Sequence, residues 1–448
     1  MRVLILDIDE GPGVNLALRA QEWGHSVKYW LPPNRKQQRY RFGEGLLKRV
    51  REWEPLMDSS DLIVMTGNTV TGFPQYMEKF EPYFEQSYPL FGANLDSAKL
   101  ELDRLQGQTV LETAGIQVLP YVVVDDLNDA INYVVKNGEP ICIKPWGGEE
   151  DKSMTCVANS PEEAIFHLER WRDQGLQSKL MLQQKAEGQE IGIAGWFSPQ
   201  SGWLRMKEES WEHKRFLNDE LGQNTGEQGT VIRHVAESLL FDRILRPLTD
   251  YLYSIGYVGD CSINCIVDPE GIPWPLEFTA RLGWPDFNIR QELVDHDPVL
   301  WMQGMLNGQD LFDPSTNIAV GVVMTHGDFP WSKDKYEDWS GFPIRGMTED
   351  NWPHLHWQMV RQGMQPTIIN GDLGHGQCMV TAGNYVAIAT GRGESVVEAA
   401  EKAYWVADAI RWPSNVMYRT DIGRKLQRSL AELQPLGYAL NMRYSSDG

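Results

Sequence analysis

Residues 273–283, Pro-Trp-Pro-Leu-Glu-Phe-Thr-Ala-Arg-Leu-Gly, read as a strand that delivers a carboxylate, Glu277, and a guanidinium, Arg281, to one place. Upstream, residues 257–267 have strand composition and run into Asp268-Pro-Glu-Gly271, a turn sequence, so the two runs are expected to pair as a hairpin. Alternation then sets Ser262 and Asn264 on one face of the first strand, and Glu277 and Thr279 on one face of the second. Oxygen side chains gathered on adjacent strands hold a hard cation such as magnesium, with phosphate completing the shell. The same pattern also describes a half-buried hairpin whose polar face meets water, and this stretch alone leaves both readings open.

The chain around this hairpin has 448 residues, which at about 150 residues per domain predicts roughly three domains. A formal net charge of −21 repels nucleic acid and anionic membranes at long range, so anionic substrates have to be met by local cations. Cys142, Cys156, Cys261, Cys265 and Cys378 lack zinc or redox spacing, and their odd number argues against a full disulfide framework. The opening residues turn acidic too early for a signal peptide, and no apolar run is long enough to cross a bilayer. A cytoplasmic protein is expected. The 17 tryptophans are scattered and read as packing residues.

From the amino end, residues 3–7, the glycine turn 9–13, a helix over 15–24 and a strand over 26–31 open a doubly wound α/β domain. Gly13 lies where backbone amides approach an anion at a helix start, or simply where a tight turn needs glycine. A strand over 62–65 leads into the polar loop 66–72, which includes Asn68. That is the usual ligand position in this architecture. A charged helix over 97–114 carries Lys99 and Arg104. A strand over 140–144 ends at Lys144 and is followed by a glycine-containing loop with Lys152, suited either to covering a polyphosphate or to a solvated hairpin tip. Strands are expected at 179–182 and 191–197, separated by a segment holding Gln183, Lys185, Ala186 and Glu190. After Glu212-His-Lys-Arg215 comes the polar, glycine-rich stretch 222–229, functional or disordered by its composition. A helix over 236–255 precedes the hairpin; helices at 298–307 and 395–410 and strands at 319–324 and 385–390 follow it. The terminal residues 441–448 are expected to fray.

In this order and spacing, His213-Lys-Arg, Asn224-Thr-Gly, Glu277-Phe with Arg281 and Gly283, Gly321-Val-Val-Met324 and Tyr418-Arg-Thr-Asp-Ile-Gly423 resemble the ATP-grasp superfamily, specifically the phosphoribosylamine–glycine ligases of purine synthesis. The resemblance runs from the first strand to about Gly423. It implies a mixed fold, α/β with an α+β ATP-binding part: an N-terminal doubly wound substrate domain (1–93), an ATP-grasp domain (94–317, with a lid at about 120–195), a small β-rich domain (318–425) and a C-terminal tail (426–448).

The activity so implied is ATP-dependent amide formation through an acyl phosphate, with an amino acid such as glycine and an acceptor amine as small-molecule substrates. ATP and Mg2+ (or Mn2+) are implied, in a monomer or homodimer. ATP would be held by Arg104, Lys144, Lys152, Gln183, Lys185, Ala186 and Glu190, and the metal by Glu277, Thr279 and Asn264. Substrates would be held by Gly13, Asn68, Lys214, Asn224, Thr225, Arg281 and Gly283, with Arg281 and Lys152 catalytic.

The chain departs from the family at several of these places. Thr279 stands for asparagine, Arg104 for lysine and Gln183 for glutamate, and Glu227-Gln228 stand for glycine and methionine. Val14-Asn15-Leu16 replaces an Arg-Glu-His triplet, and Gly67-Asn-Thr-Val-Thr71 replaces a Pro-Glu-Ala-Pro-Leu loop. Most of these changes fall on the amine side, which keeps open a repurposed ligase acting on another amine, such as a nucleotide or nucleobase derivative. A catalytically silent ATP-binding protein also stays open.

Overall fold

A computed structural model describes residues 1–8, 12–32, 41–68, 75–146, 155–176, 178–326, 329–330, 340–413 and 416–446. The amino-terminal strands Ser26–Trp30, Arg2–Leu6, Leu62–Met65 and Leu90–Phe91 form a parallel sheet in that order. Leu62–Met65 is buried at every residue, as a parallel strand covered on both faces must be. A second sheet, ordered Tyr121–Val124, Leu180–Gln184, Ile141–Pro145 and Cys156–Val157, is antiparallel. The helices Leu127–Asn137 and Pro161–Asp173 pack beside each other over its own small core.

The centre of the molecule is a nine-stranded antiparallel sheet. It begins at Pro273–Thr279 and continues through Gly259–Val267, Gln189–Ser198, Gly202–Glu212, Gly229–Val235, Ile318–His326, Tyr385–Gly393 and Leu355–Trp357. Val416–Met417 pairs with Ile318–His326. The expected hairpin is present, with Asn264 opposite Glu277 and Ser262 opposite Thr279. Pro273 and Pro275 are tolerated because this is an edge strand, and the register shifts so that Cys265 faces Pro275.

Three elements differ from the sequence expectation. The helix expected over 97–114 is two helices, Leu95–Leu102 and Arg104–Thr113. Asp103 breaks it, because its carboxylate accepts from the amides of Leu105 and Gln106 at 3.0 and 3.2 Å and so caps a new helix. Asp103→Ala is expected to cost about 1 kcal/mol, read as a lower urea midpoint; an unchanged midpoint would mean that the cap is dispensable. The helix over 236–255 is broken at Pro247 into Leu239–Ile244, a short 3-10 turn and Thr249–Ser254. Residues 426–444 are docked where the end was expected to fray from 441. Leu426–Leu433 is a helix with Leu426, Leu430 and Leu433 buried, and the carbonyls of Arg443 and Tyr444 accept from the amides of Val396 and Val397. All five cysteines are free thiols. Among the described residues no helix is long and apolar enough to cross a membrane.

Candidate active site

Glu277 lies on the face of the large sheet that looks toward the second sheet's Lys144, and three cations gather around it. Arg104, at the start of the helix that Asp103 caps, places Nη2 3.9 Å from Oε2, and Lys214 Nζ stands 3.6 Å from Oε1. Lys144 is buried, and the charge of Glu277 is the strongest favourable influence on its ammonium. Both spacings exceed a hydrogen bond, so these are through-space attractions rather than locked pairs. Burial pushes the Lys144 and Arg104 pKa values down, and Glu277 works against that shift in each. For Lys214 burial also acts downward. It is outweighed by Glu212 (2.8 Å), Glu277 and Glu190, which hold the ammonium well above its usual pKa.

Across the sheet, Glu277, Asn264, Gly192 and Ser210 form one row. A β-carbon on Gly192 would come within 2.3 Å of Ser210 Oγ and 2.7 Å of Asn264 Oδ1, so glycine keeps a trough open between them. Thr279 and Ser262 form the next pair. These donors are all oxygen and suit a hard cation. Among the described residues no three His, Cys, Asp or Glu side chains cluster as a metal site. A cation held here would therefore rest on one carboxylate, neutral oxygens and a ligand's own phosphates.

Glu190 shares this face, opposite Ile266, and burial raises its pKa. Gln183 is buried and points inward, accepting from Lys144 Nζ at 3.1 Å. It therefore positions the lysine. Lys185 and Ala186 lie in the link between the two sheets, with Lys185 Nζ bonded to Asn159 at 2.7 Å. Lys152 and residues 69–72 of the polar loop lie outside the described residues.

Arg281 and Asn68, 213 positions apart in the sequence, are joined by Glu101. Arg281 donates to Oε1 at 2.8 and 3.2 Å, and Asn68 to Oε2 at 2.7 Å. Gly13 has a packing reason, since a β-carbon there would come within 2.4 Å of the Asp7 carboxyl group. Asn15 is turned inward, donating to Asn288 at 3.0 Å and contacting His356 at 3.2 Å. Asn224 is exposed on the small hairpin opposite Arg215, and Thr225 is tied to the Lys214 carbonyl at 2.8 and 2.9 Å. Gly283 is buried, its amide 3.5 Å from Asp260.

Sequence reasoning missed Glu101, Glu212, Asp286 and the buried trio Arg290, Glu208 and Asp260. Arg290 forks onto Glu208 at 2.6 and 2.8 Å and reaches Asp260 at 2.8 Å. Alternation of Glu208, Ser210 and Glu212 along Gly202–Glu212 was the available signal.

No family model matches the chain. A phosphoribosylamine–glycine ligase of Vibrio vulnificus is 24% identical over 365 residues, 78% of this chain and 80% of that protein. Its counterpart from Allochromatium vinosum is 26% identical over 374 residues, 80% of this chain and 83% of that protein. The crystal structure of the Thermotoga maritima phosphoribosylamine–glycine ligase superposes with a TM-score of 0.67 at 21% identity, covering 94% of this chain and all of that one. The chain has the ATP-grasp fold and is an ATP-grasp ligase. Within the class it resembles phosphoribosylamine–glycine ligase.

Proposed function

We propose that the chain is a carboxylate–amine ligase of the phosphoribosylamine–glycine ligase type, in which ATP lies between the two sheets. The observation that supports this most is the convergence of Arg104, Lys144 and Lys214 on Glu277. Gln183, Glu212 and the Pro145 carbonyl hold the three cations in place, and a polyphosphate would lie against them. Lys144 and Arg104 would line the phosphates with Lys152, and Glu190 would take the ribose hydroxyls. Lys185 and Ala186 would meet adenine through their backbone. Glu277, Asn264 and Thr279 would hold a magnesium ion, whose charge offsets that on the phosphates.

In the reaction a carboxylate oxygen attacks the γ-phosphorus and ADP leaves. The amine nitrogen then attacks the acyl carbon, the C–O bond to phosphate breaks, and the nitrogen sheds a proton. Arg281, fixed by Glu101, and Lys214 with the Asn224–Thr225 backbone would orient the reactants, so positioning and charge neutralisation carry the chemistry. Purified protein with ATP, magnesium and a panel of amino acids is expected to release ADP when an amine is added. With hydroxylamine as trap it should yield a hydroxamate. ATP binding with neither product would leave a silent nucleotide-binding protein.

A further inference from the structure

The guanidinium of Arg281 is held by the protein itself. Nη2 and Nε donate to Glu101 Oε1 at 2.8 and 3.2 Å, and Nη1 donates to the Leu282 carbonyl at 3.3 Å. The other carboxylate oxygen, Oε2, accepts from Asn68 at 2.7 Å. Glu101 therefore ties together the loop after Leu62–Met65, the helix Leu95–Leu102 and the segment after Pro273–Thr279. Its side chain is 9% exposed and that of Arg281 18%, so the ion pair is largely withdrawn from water.

The pair is electrically continuous with the cations around Glu277. Burial lowers the Arg104 pKa, and the charges of Glu277 and then Glu101 oppose that fall. Arg104 itself stands 3.9 Å from Glu277.

This geometry sets what Arg281 can bind. An anion that drew the guanidinium away would leave Glu101 withdrawn from water with its charge unpaired and only the Asn68 amide against it, which is strongly unfavourable. An anion that approached with the pair intact would meet a guanidinium whose charge is already neutralised, with a carboxylate behind it. An uncharged oxygen, such as a hydroxyl or carbonyl, accepts a hydrogen bond from the same guanidinium without either penalty.

We propose that Glu101 is a specificity-determining residue: by cancelling the charge of Arg281 it selects an acceptor amine that presents an uncharged oxygen there and rejects one that presents a phosphate. Glu101 acts through Arg281 and does not itself touch the acceptor. This rests on the carboxylate–amine ligase reading above, in which Arg281 orients a reactant.

The test uses acceptor amines that differ only by a phosphate, ethanolamine with O-phosphoethanolamine and ribosylamine with phosphoribosylamine, in ADP release with glycine as the carboxylate substrate. The wild-type protein should use the unphosphorylated member about tenfold or more better in kcat/KM, the effect of setting like charges together. In Glu101→Gln that ratio should fall by about tenfold or more, through a lower KM for the phosphorylated member. Glu101→Ala, which leaves no amide facing Asn68, is the second variant and should move the ratio the same way. A merely structural loss would lower both members equally. A ratio unchanged in both variants, or a phosphorylated acceptor preferred by the wild type, overturns the proposal and leaves the ligase reading intact. No ADP release and no hydroxamate with any amine defeats the ligase reading instead. Where neither member of a pair supports turnover, calorimetric titration with inorganic phosphate decides the role of Glu101 by itself. Tighter binding in Glu101→Gln that is abolished on adding Arg281→Leu upholds it. Equal affinity in wild type and Glu101→Gln, or a gain that survives Arg281→Leu, overturns it.

Discussion

Glu277→Gln is expected to lower amine-dependent ADP formation by about 10²- to 10³-fold, the range found when a preorganised charge is removed from a reacting site. Glutamine keeps the volume and one oxygen but removes the negative charge. In the proposed site that charge does two things. It is the carboxylate of an otherwise neutral oxygen set, and it is the counter-charge toward which Arg104 and Lys214 lean at 3.9 and 3.6 Å. The fold should not notice the change. The Glu277 side chain is 45% exposed on an edge strand, and its neighbour Phe278, on the opposite face, carries the packing. The measurement is a coupled ADP assay at saturating ATP beside a thermal melt. Full activity in the variant would remove Glu277 from the site. A lost fold would mean that the cation cluster depends on it structurally.

What could be read from the residues follows from how far each signal reaches along the chain. The hairpin around Glu277 was legible because alternation and an Asp-Pro-Glu-Gly turn are local, and its register came out with Asn264 opposite Glu277. The break at Asp103 was local too. It was hidden because the positions on either side continue a helical pattern, and only the side-chain cap shows which rule prevails. The Arg281–Glu101 pair spans 180 positions, and no spacing rule links such residues. The run Lys-Glu-Glu-Ser-Trp-Glu-His-Lys at 207–214 is dense in charge. Yet Glu208 and Glu209 are both buried, one paired with Arg290 and the other with Arg233. Composition cannot show that a strand lies centrally in a nine-stranded sheet, and this decides whether its acids meet water or arginine. Trp284 was grouped with the packing tryptophans, which fits Trp196 and Trp301 with rings 4.6 Å apart in the core. Its own ring is half-buried beside Gly226.

Arg290→Met is expected to destabilise the protein by about 3–5 kcal/mol, the cost of breaking a buried ion pair by removing one partner. Arg290 is 2% exposed and stacks its guanidinium 4.5 Å from the Trp196 ring centroid while holding Glu208 and Asp260. Methionine fills much of the space but leaves two carboxylates facing each other in the interior. Glu208 also gives the change a pH signature. Burial raises its pKa, but Arg290 and His234 overcome this and bring it down to about 2. The folded value lies below the unfolded one near 4.5, so this contribution is present above that pH and fades as pH falls toward 2. In Arg290→Met the depression disappears, Glu208 joins Asp260 in having a raised pKa, and the variant should become more stable as pH falls from 7 toward 5. The triple variant Arg290→Met, Glu208→Gln, Asp260→Asn should recover part of the loss, since neutral partners remove the unpaired charge. Urea midpoints at pH 5 and 7 for the wild type and both variants supply the comparison. A loss below about 1 kcal/mol in Arg290→Met, within the range of an exposed pair, would show that water reaches these carboxylates and that the centre of the large sheet is not held by this arginine.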